Sequence, residues 1–142
     1  MIKSTALLVR RAPMDHGAFV EYWIGTHGKM VMGLPGLRGF IQSKIVDQPA
    51  RGDIPAVTGV EIDGMAQNWF DDVAGRNAFN ASPGAKKLLA DGALCIGRIK
   101  YFLHEEHVFV RPQRGRAPVV KLVELLARKD GLTREDFLKT WL

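Results

Sequence analysis

Large apolar residues stand side by side along the segments of this chain that read as strands. Phe40 and Ile41 are neighbours, Ile45 and Val46 are neighbours, and Tyr101, Phe102 and Leu103 are consecutive. Successive side chains on a strand point to opposite faces, so such runs demand burial on both sides of a sheet. Helices can cover one side. The other then needs a second sheet, from another chain or from another repeat.

Periodicity and breakers order the elements. The run Ala6–Val9 within 2–11 predicts a first strand. Asp15 offers a cap for a helix carrying Phe19, Val20, Trp23, Ile24, His27 and Val31 at three- and four-residue spacing, stopped by Gly33 and Pro35. Residues 37–46 read as a second strand. A Pro- and Gly-containing loop leads to a third over 57–63. Trp69, Phe70 and Val73 mark a helix that Gly75 ends or bends, and Ser82-Pro83 opens another through Leu88 and Leu89 to Asp91. The run 96–110 supplies a fourth strand. The order β-α-β-β-α-β predicts an α+β, ferredoxin-like fold with a four-stranded antiparallel sheet.

Other classes fall away quickly. The 142 residues suit one domain, and the single Cys95 cannot form an internal disulfide. No apolar stretch approaches the roughly 18 residues that span a bilayer, and Ser4–Val9 is too short for a secretory core. A cytoplasmic, soluble protein with no membrane partner is expected. The net charge of +5 is mild. Arg111, Arg114 and Arg116 cluster in a Pro-interrupted segment without aromatics, which reads as a solvated linker and not as a nucleic-acid surface.

A shift of 118 residues aligns the opening KSTALLVRRAPMDHGAFVEYWI with the closing KLVELLARKDGLTREDFLKTWL without a gap. Lys3, Leu7, Leu8, Arg10, Phe19 and Trp23 meet Lys121, Leu125, Leu126, Arg128, Phe137 and Trp141. Asp15 meets Thr133, which can do the same capping job. The reading is a domain over 1–110, an Arg/Pro-rich linker over 111–118, and over 119–142 the strand and partial helix that begin a second repeat. Leu142 is the counterpart of Ile24, so a chain cut in mid-helix is expected, or a tail that docks on a partner.

The pattern F-x-x-Y-W-x-x-x-H (Phe19, Tyr22, Trp23, His27) followed by LPGLRGF resembles the EthD family. So do DGMAQNWFDDVAGRNAF and ADG…FLHEEHVF further along. The resemblance spans about residues 3–110 once, and its opening recurs over 121–142. It implies a barrel of two ferredoxin-like sheets packed face to face, closed as a homodimer or between two repeats of one chain. A ligand cleft would lie between each sheet and its helices. The wider superfamily includes lactone isomerases, polyketide cyclases, monooxygenases and haem-degrading enzymes. Fold therefore leaves the chemistry to be argued from the site.

His27 is the leading candidate, on the face shared with Phe19, Trp23 and Val31. An imidazole there can work as a general acid–base, or it can bond a backbone carbonyl and tie helix to sheet. No spacing identifies the acceptor that would fix its tautomer. Tyr22 can donate to a carbonyl or developing enolate, or stand at the rim. Trp23, Trp69 and Phe70 are candidate walls for an aromatic ligand, or core. Glu61, between Val60 and Ile62 of the expected third strand, is a site residue or an interface ion-pair member.

In His104-Glu105-Glu106-His107 the histidines are three apart, not four, and a strand sends them to opposite faces, so no metal site is expected. Glu106 and His107 remain as a second acid–base pair. Gly33, Gly36 and Gly39 follow a helix and precede a strand, the reverse of a dinucleotide fingerprint. Cys95 reads as a packed thiol. The expected activity is proton transfer on an apolar or aromatic carbonyl compound, of isomerase, cyclase, dehydratase or decarboxylase type, without a cofactor. The alternative is a non-catalytic small-ligand-binding or accessory protein on the same barrel, haem binding included.

Overall fold

The computed structural model describes residues 1–50, 52–56, 59, 61–110, 115 and 120–141. They fall into two compact units: Met1–Gln48 with Glu61–Phe109, and Pro49–Val60 with Val110–Leu142.

The first unit runs β1 (Ile2–Arg10), α1 (His16–Gly25), a 3₁₀ turn (His27–Val31), β2 (Gly39–Lys44), β3 (Gly64–Phe70), α2 (Val73–Ala81), α3 (Pro83–Gly92) and β4 (Ile96–His104). The sheet order is β2-β3-β1-β4, with every neighbouring pair antiparallel. This is the expected α+β, ferredoxin-like arrangement. β1 lies at the centre, and residues 3–8 along it are all buried.

Local chemistry sets the helix boundaries. The Asp15 carboxylate accepts from the Ala18 amide at 2.8 Å and starts α1. Ser82 accepts from Ala85 at 3.1 Å, with Pro83 in the first turn of α3, where a missing N–H costs nothing. The single helix expected through Val31 instead breaks after Gly25 and tightens into the 3₁₀ turn. Gly33 and Gly36 then take φ of 79° and 80°, which L side chains avoid, and turn the chain into β2.

The third strand departs from expectation. It occupies Gly64–Phe70 and not 57–63, so Trp69 and Phe70 are strand residues rather than the opening of a helix. Val57, Thr58 and Val60 lie outside the described residues, and Glu61 and Ile62 are not strand. Asp63 explains the start. Its amide donates to the Leu8 carbonyl at 2.8 Å, and its carboxylate takes the Arg10 amide at 2.8 Å, the Arg10 guanidinium and His16 Nδ1 at 3.0 Å. Asp72 caps the following helix through the Gly75 amide at 2.7 Å.

Burial raises the Asp63 carboxyl, but these bonds and the Arg10 charge outweigh it and hold it below its ordinary value. A carboxyl lowered on folding adds stability that is complete above about pH 4 and is lost as pH falls through the lowered value. Asp63→Asn is therefore expected to be less stable than the wild type at neutral pH. Its unfolding free energy should also fall less steeply on acidification below about pH 4. Urea titrations over that range read both effects, and parallel curves would remove the assignment.

The β1–β4 register slips between Val9 and Arg10, where Gly97 is the extra residue. A Cβ on Gly97 would lie 2.8 Å from the Arg10 carbonyl oxygen and 3.1 Å from Arg11 Cα, atoms of the backbone itself. Gly97→Ala is expected to cost about 1–3 kcal/mol in urea unfolding, because neither neighbour can turn aside.

Register divides the sheet into two faces. Ser4, Ala6 and Leu8 of β1 share one with Ala66, Asn68 and Phe70 of β3, and Lys3, Thr5 and Leu7 share the other with Met65, Gln67 and Trp69. The helices cover the first. There Phe19 and Trp23 stack at 5.4 Å over Ala6, Leu8, Ala66 and Cys95. A second core of Phe70, Phe79 and Ala85 forms beside Ile2, Leu34 and Leu37. The edge strand β4 stays half-exposed on both faces at Tyr101, Phe102 and Leu103. Among the described residues, no helix is long and apolar enough to cross a membrane.

In the second unit, α4 (Arg134–Trp141) begins at Thr133, whose hydroxyl accepts from the Asp136 amide at 3.1 Å. Phe137 and Trp141 stack at 6.2 Å. Cap and ring pair occupy positions 118 residues beyond those of α1. No strand precedes α4 among the described residues of 119–142. Residues 120–129 have no regular structure, since a strand exists only by pairing and these residues join no sheet. Val119 and the linker arginines Arg111, Arg114 and Arg116 lie outside the described residues.

Candidate active site

Between the helix-covered sheet face and the helices lies a cavity of about 470 Å³ within the first unit. Its floor is Ser4, Ala6 and Leu8 with Ala66 and Asn68. Trp23, His27 and Phe70 line it too. The alternation of β1 and β3 puts small residues at the centre of this floor, which leaves room above them.

His27 opens the 3₁₀ turn, and 8% of its surface is exposed. Its Nδ1 lies 2.8 Å from Asp91 Oδ2 in the last turn of α3. A carboxylate only accepts, so Nδ1 carries the proton and Nε2 is the basic nitrogen. The Tyr22 hydroxyl donates to Asp91 Oδ1 at 2.8 Å, so both carboxylate oxygens are engaged. Burial lifts the Asp91 carboxyl, but the His27 and Tyr22 hydrogen bonds and the His27 charge hold it below its ordinary value. The hydrogen bond to Asp91, with lesser help from burial and the Asp91 charge, raises the Tyr22 phenol. Asp91 thus stays anionic and fixes the imidazole. Gly92, the next residue, is the reason the ring fits: a Cβ there would lie 3.2 Å from His27 Cε1.

Tyr22 does not line the cavity. Its proton goes to Asp91, so it braces the carboxylate and is not placed to steady an oxyanion. Trp23 is fully buried and forms part of the wall. Phe70 does as well, packed against Phe79 at 5.3 Å.

Trp69 does not, because strand parity sends it to the opposite face. There its Nε1 donates to Glu106 Oε2 at 2.8 Å and the Lys3 ammonium sits 4.4 Å above its ring. Glu106 also holds Lys3 Nζ at 2.5 Å. Burial raises the Glu106 carboxyl, but Lys3 and Trp69 outweigh it and keep it low. β4 ends at His104, so Glu106 and His107 follow the strand, and His107 is exposed. They form no acid–base pair at the cavity. Glu61 is exposed and outside any strand, away from the lining. Cys95 is a packed thiol, fully buried, with its ionisation suppressed by burial and by the Asp91 charge. Among the described residues, no group of three His, Cys, Asp or Glu side chains is placed to hold a metal ion.

Asp91 is the residue that spacing does not reveal. One signal was present. A carboxylate in the last turn of a helix sits against the negative end of the dipole and so calls for a compensating partner.

The fold and its cavity define an α+β protein of ferredoxin-like topology with a ligand-sized space between sheet and helices. The EthD domain model matches residues 11–94, more than half of the sequence, and the chain belongs to the EthD family. Among curated proteins it is 28% identical over 108 residues to 4-carboxymethyl-4-methylbutenolide mutase of Pseudomonas reinekei, covering 76% of this chain and all of that one. An EthD family protein from Bacillus halodurans superposes with a TM-score of 0.60 at 24% identity, over 75% of this chain and 99% of its own. A dimeric ferredoxin-like protein of unknown function from Thermobifida fusca superposes with a TM-score of 0.55 at 17% identity, over 72% and 88%.

Proposed function

We propose that the protein is an isomerase-type enzyme that moves a proton on an apolar carbonyl compound held in the cavity. The observation that carries this reading is the His27–Asp91 pair at the cavity wall, with Nδ1 committed to the carboxylate and Nε2 left basic. Nε2 takes a proton from a carbon next to the substrate carbonyl. Asp91 steadies the imidazolium that results, and the same nitrogen returns the proton at a second carbon. Tyr22 acts as a positioning residue through Asp91. The Pseudomonas reinekei relative, named as a mutase of a butenolide, supports a lactone as the kind of carbonyl compound involved.

On the same reading, the sheet face bearing Lys3 and Trp69 meets a second sheet. The Thermobifida fusca structure, described as dimeric, supports a second copy as the source of that sheet. The cap and ring pair repeated in α4 support a second repeat.

The test is proton exchange in D₂O. The protein is incubated with 4-carboxymethyl-4-methylbutenolide and with unsubstituted butenolide, and the side-chain methylene signal of the first and the ring C4 methylene signal of the second are followed by NMR. Enzyme-dependent loss of signal, or appearance of a rearranged lactone, supports the proposal. Binding without exchange in either compound replaces it with the non-catalytic alternative.

A further inference from the structure

The charges around the cavity are one-sided. Among its lining residues, Arg76 is the sole permanently charged one and His27 the sole other ionisable base, with no carboxylate. Arg76 is half-buried in α2, and among the described residues its Nη1 reaches only the Asn77 side-chain oxygen, at 3.2 Å. The acids nearest in sequence are engaged elsewhere. Asp71 takes Arg38, with Nη2 at 2.6 Å, and Asp72 caps α2. No described carboxylate pairs with Arg76. A partly desolvated guanidinium facing an apolar space is costly until an anion arrives.

Polar side chains share the cavity with it. Asn80, one helical turn on, also lines the cavity, as do Asn68 of β3 and Ser4, its cross-strand partner. Tyr101 of β4 lines the same cavity, its phenol pushed up by desolvation and pulled down by the Arg76 charge. Phe79, three residues after Arg76, belongs to the Phe70 core. His27 sits beside Gly92, towards the other core, built on Trp23 and Leu8. The floor from Ser4 to Leu8 is about 13 Å long. The cavity therefore has a cationic end and an acid–base end.

We propose that Arg76, with Asn80 and Asn68, forms an anion subsite that holds the carboxylate of a compact, otherwise apolar acid. This deepens the reading of the cavity as a substrate site. The carboxylate is anchored near α2, and the reacting carbonyl is turned towards His27. Charge-assisted, bidentate bonds to a planar guanidinium would select the carboxylate over its neutral amide.

Calorimetric titration of phenylacetate against phenylacetamide tests it without reference to turnover. The wild type is expected to bind the acid at least about tenfold more tightly than the amide. Arg76→Gln should bind both equally, Arg76→Lys should keep part of the preference, and His27→Gln should keep all of it. Asn80→Asp, an exposed change that puts a negative charge beside the guanidinium, should also abolish the preference; it serves as the second variant if Arg76→Gln does not fold.

Equal binding by the wild type overturns the proposal, as does a preference that survives in Arg76→Gln or Asn80→Asp. So does a preference lost in His27→Gln alone, or no binding of the acid at millimolar concentration. A carboxylate preference in a protein that exchanges no protons would leave the subsite standing and remove only the catalytic reading.

Discussion

His27→Ala lowers the rate of enzyme-dependent proton exchange by about 10²–10⁴, the usual contribution of a positioned general acid–base, and leaves the fold intact. Removing the imidazole removes both the base and the acid of the proposed transfer. Asp91→Asn is expected to lose less, about tenfold or more, because the amide no longer dictates that Nδ1 carries the proton. Tyr22→Phe should lose least, since Asp91 keeps its bond to His27 at 2.8 Å. This graded order, read by NMR exchange with circular dichroism to confirm folding, separates a catalytic imidazole from a structural one. A rate unchanged in His27→Ala removes His27 from the mechanism.

Trp23→Ala destabilises the protein by about 3–5 kcal/mol in urea unfolding. The side chain is 1% exposed and stacks on Phe19 above Ala6, Leu8 and Ala66. Its ring also fills the space a side chain would take on Gly64, where a Cβ would lie 2.7 Å from Cζ3. Trp and Gly are thus complementary across the interface between α1 and β3. Trp141 occupies the matching position of α4 and is 59% exposed. Trp141→Ala is expected to cost less than about 0.5 kcal/mol in the same chain. Similar losses at the two tryptophans would show that exposure is not what distinguishes them.

The order of the elements and the ferredoxin-like class were legible because each depends on local signals. Asp15, Ser82-Pro83, Gly33 and the apolar run through Leu8 act within a few residues of themselves. Residues 57–63 read as the third strand because Val57, Val60 and Ile62 have the composition of one, whereas Gly64–Phe70 mixes small, amide and aromatic residues. What decides between them is the pairing of Gly64–Phe70 with both β1 and β2, a non-local fact. That displacement carried Trp69 to the wrong place. Read as helical, it sits near Phe70 on a shared wall; as the neighbour of Phe70 on a strand, it faces the other way.

The site was half legible for a similar reason. His27 and Trp23 announce themselves by helical spacing, and Phe70 by its size. Asp91 lies 64 residues from its partner His27 and matters only because α3 returns across the sheet to meet the 3₁₀ turn. Arg76 is ordinary in sequence. The engagement of Asp71 and Asp72 by other groups leaves it facing the cavity with no counter-charge among the described residues.

The two faces of the sheet draw on alternate residues of the same two strands, and this constrains how such a protein can diverge. Exchanging one side chain at Ser4, Ala6 or Asn68 reshapes the cavity floor and leaves Lys3, Thr5 and Trp69 on the far side untouched. Inserting or deleting a single residue within β1 or β3 exchanges the two sets wholesale. Substrate choice can therefore drift by substitution inside these strands, whereas changes of length belong in the connections between elements. Among relatives, ligand specificity should vary at even positions of β1 with the strand length held constant.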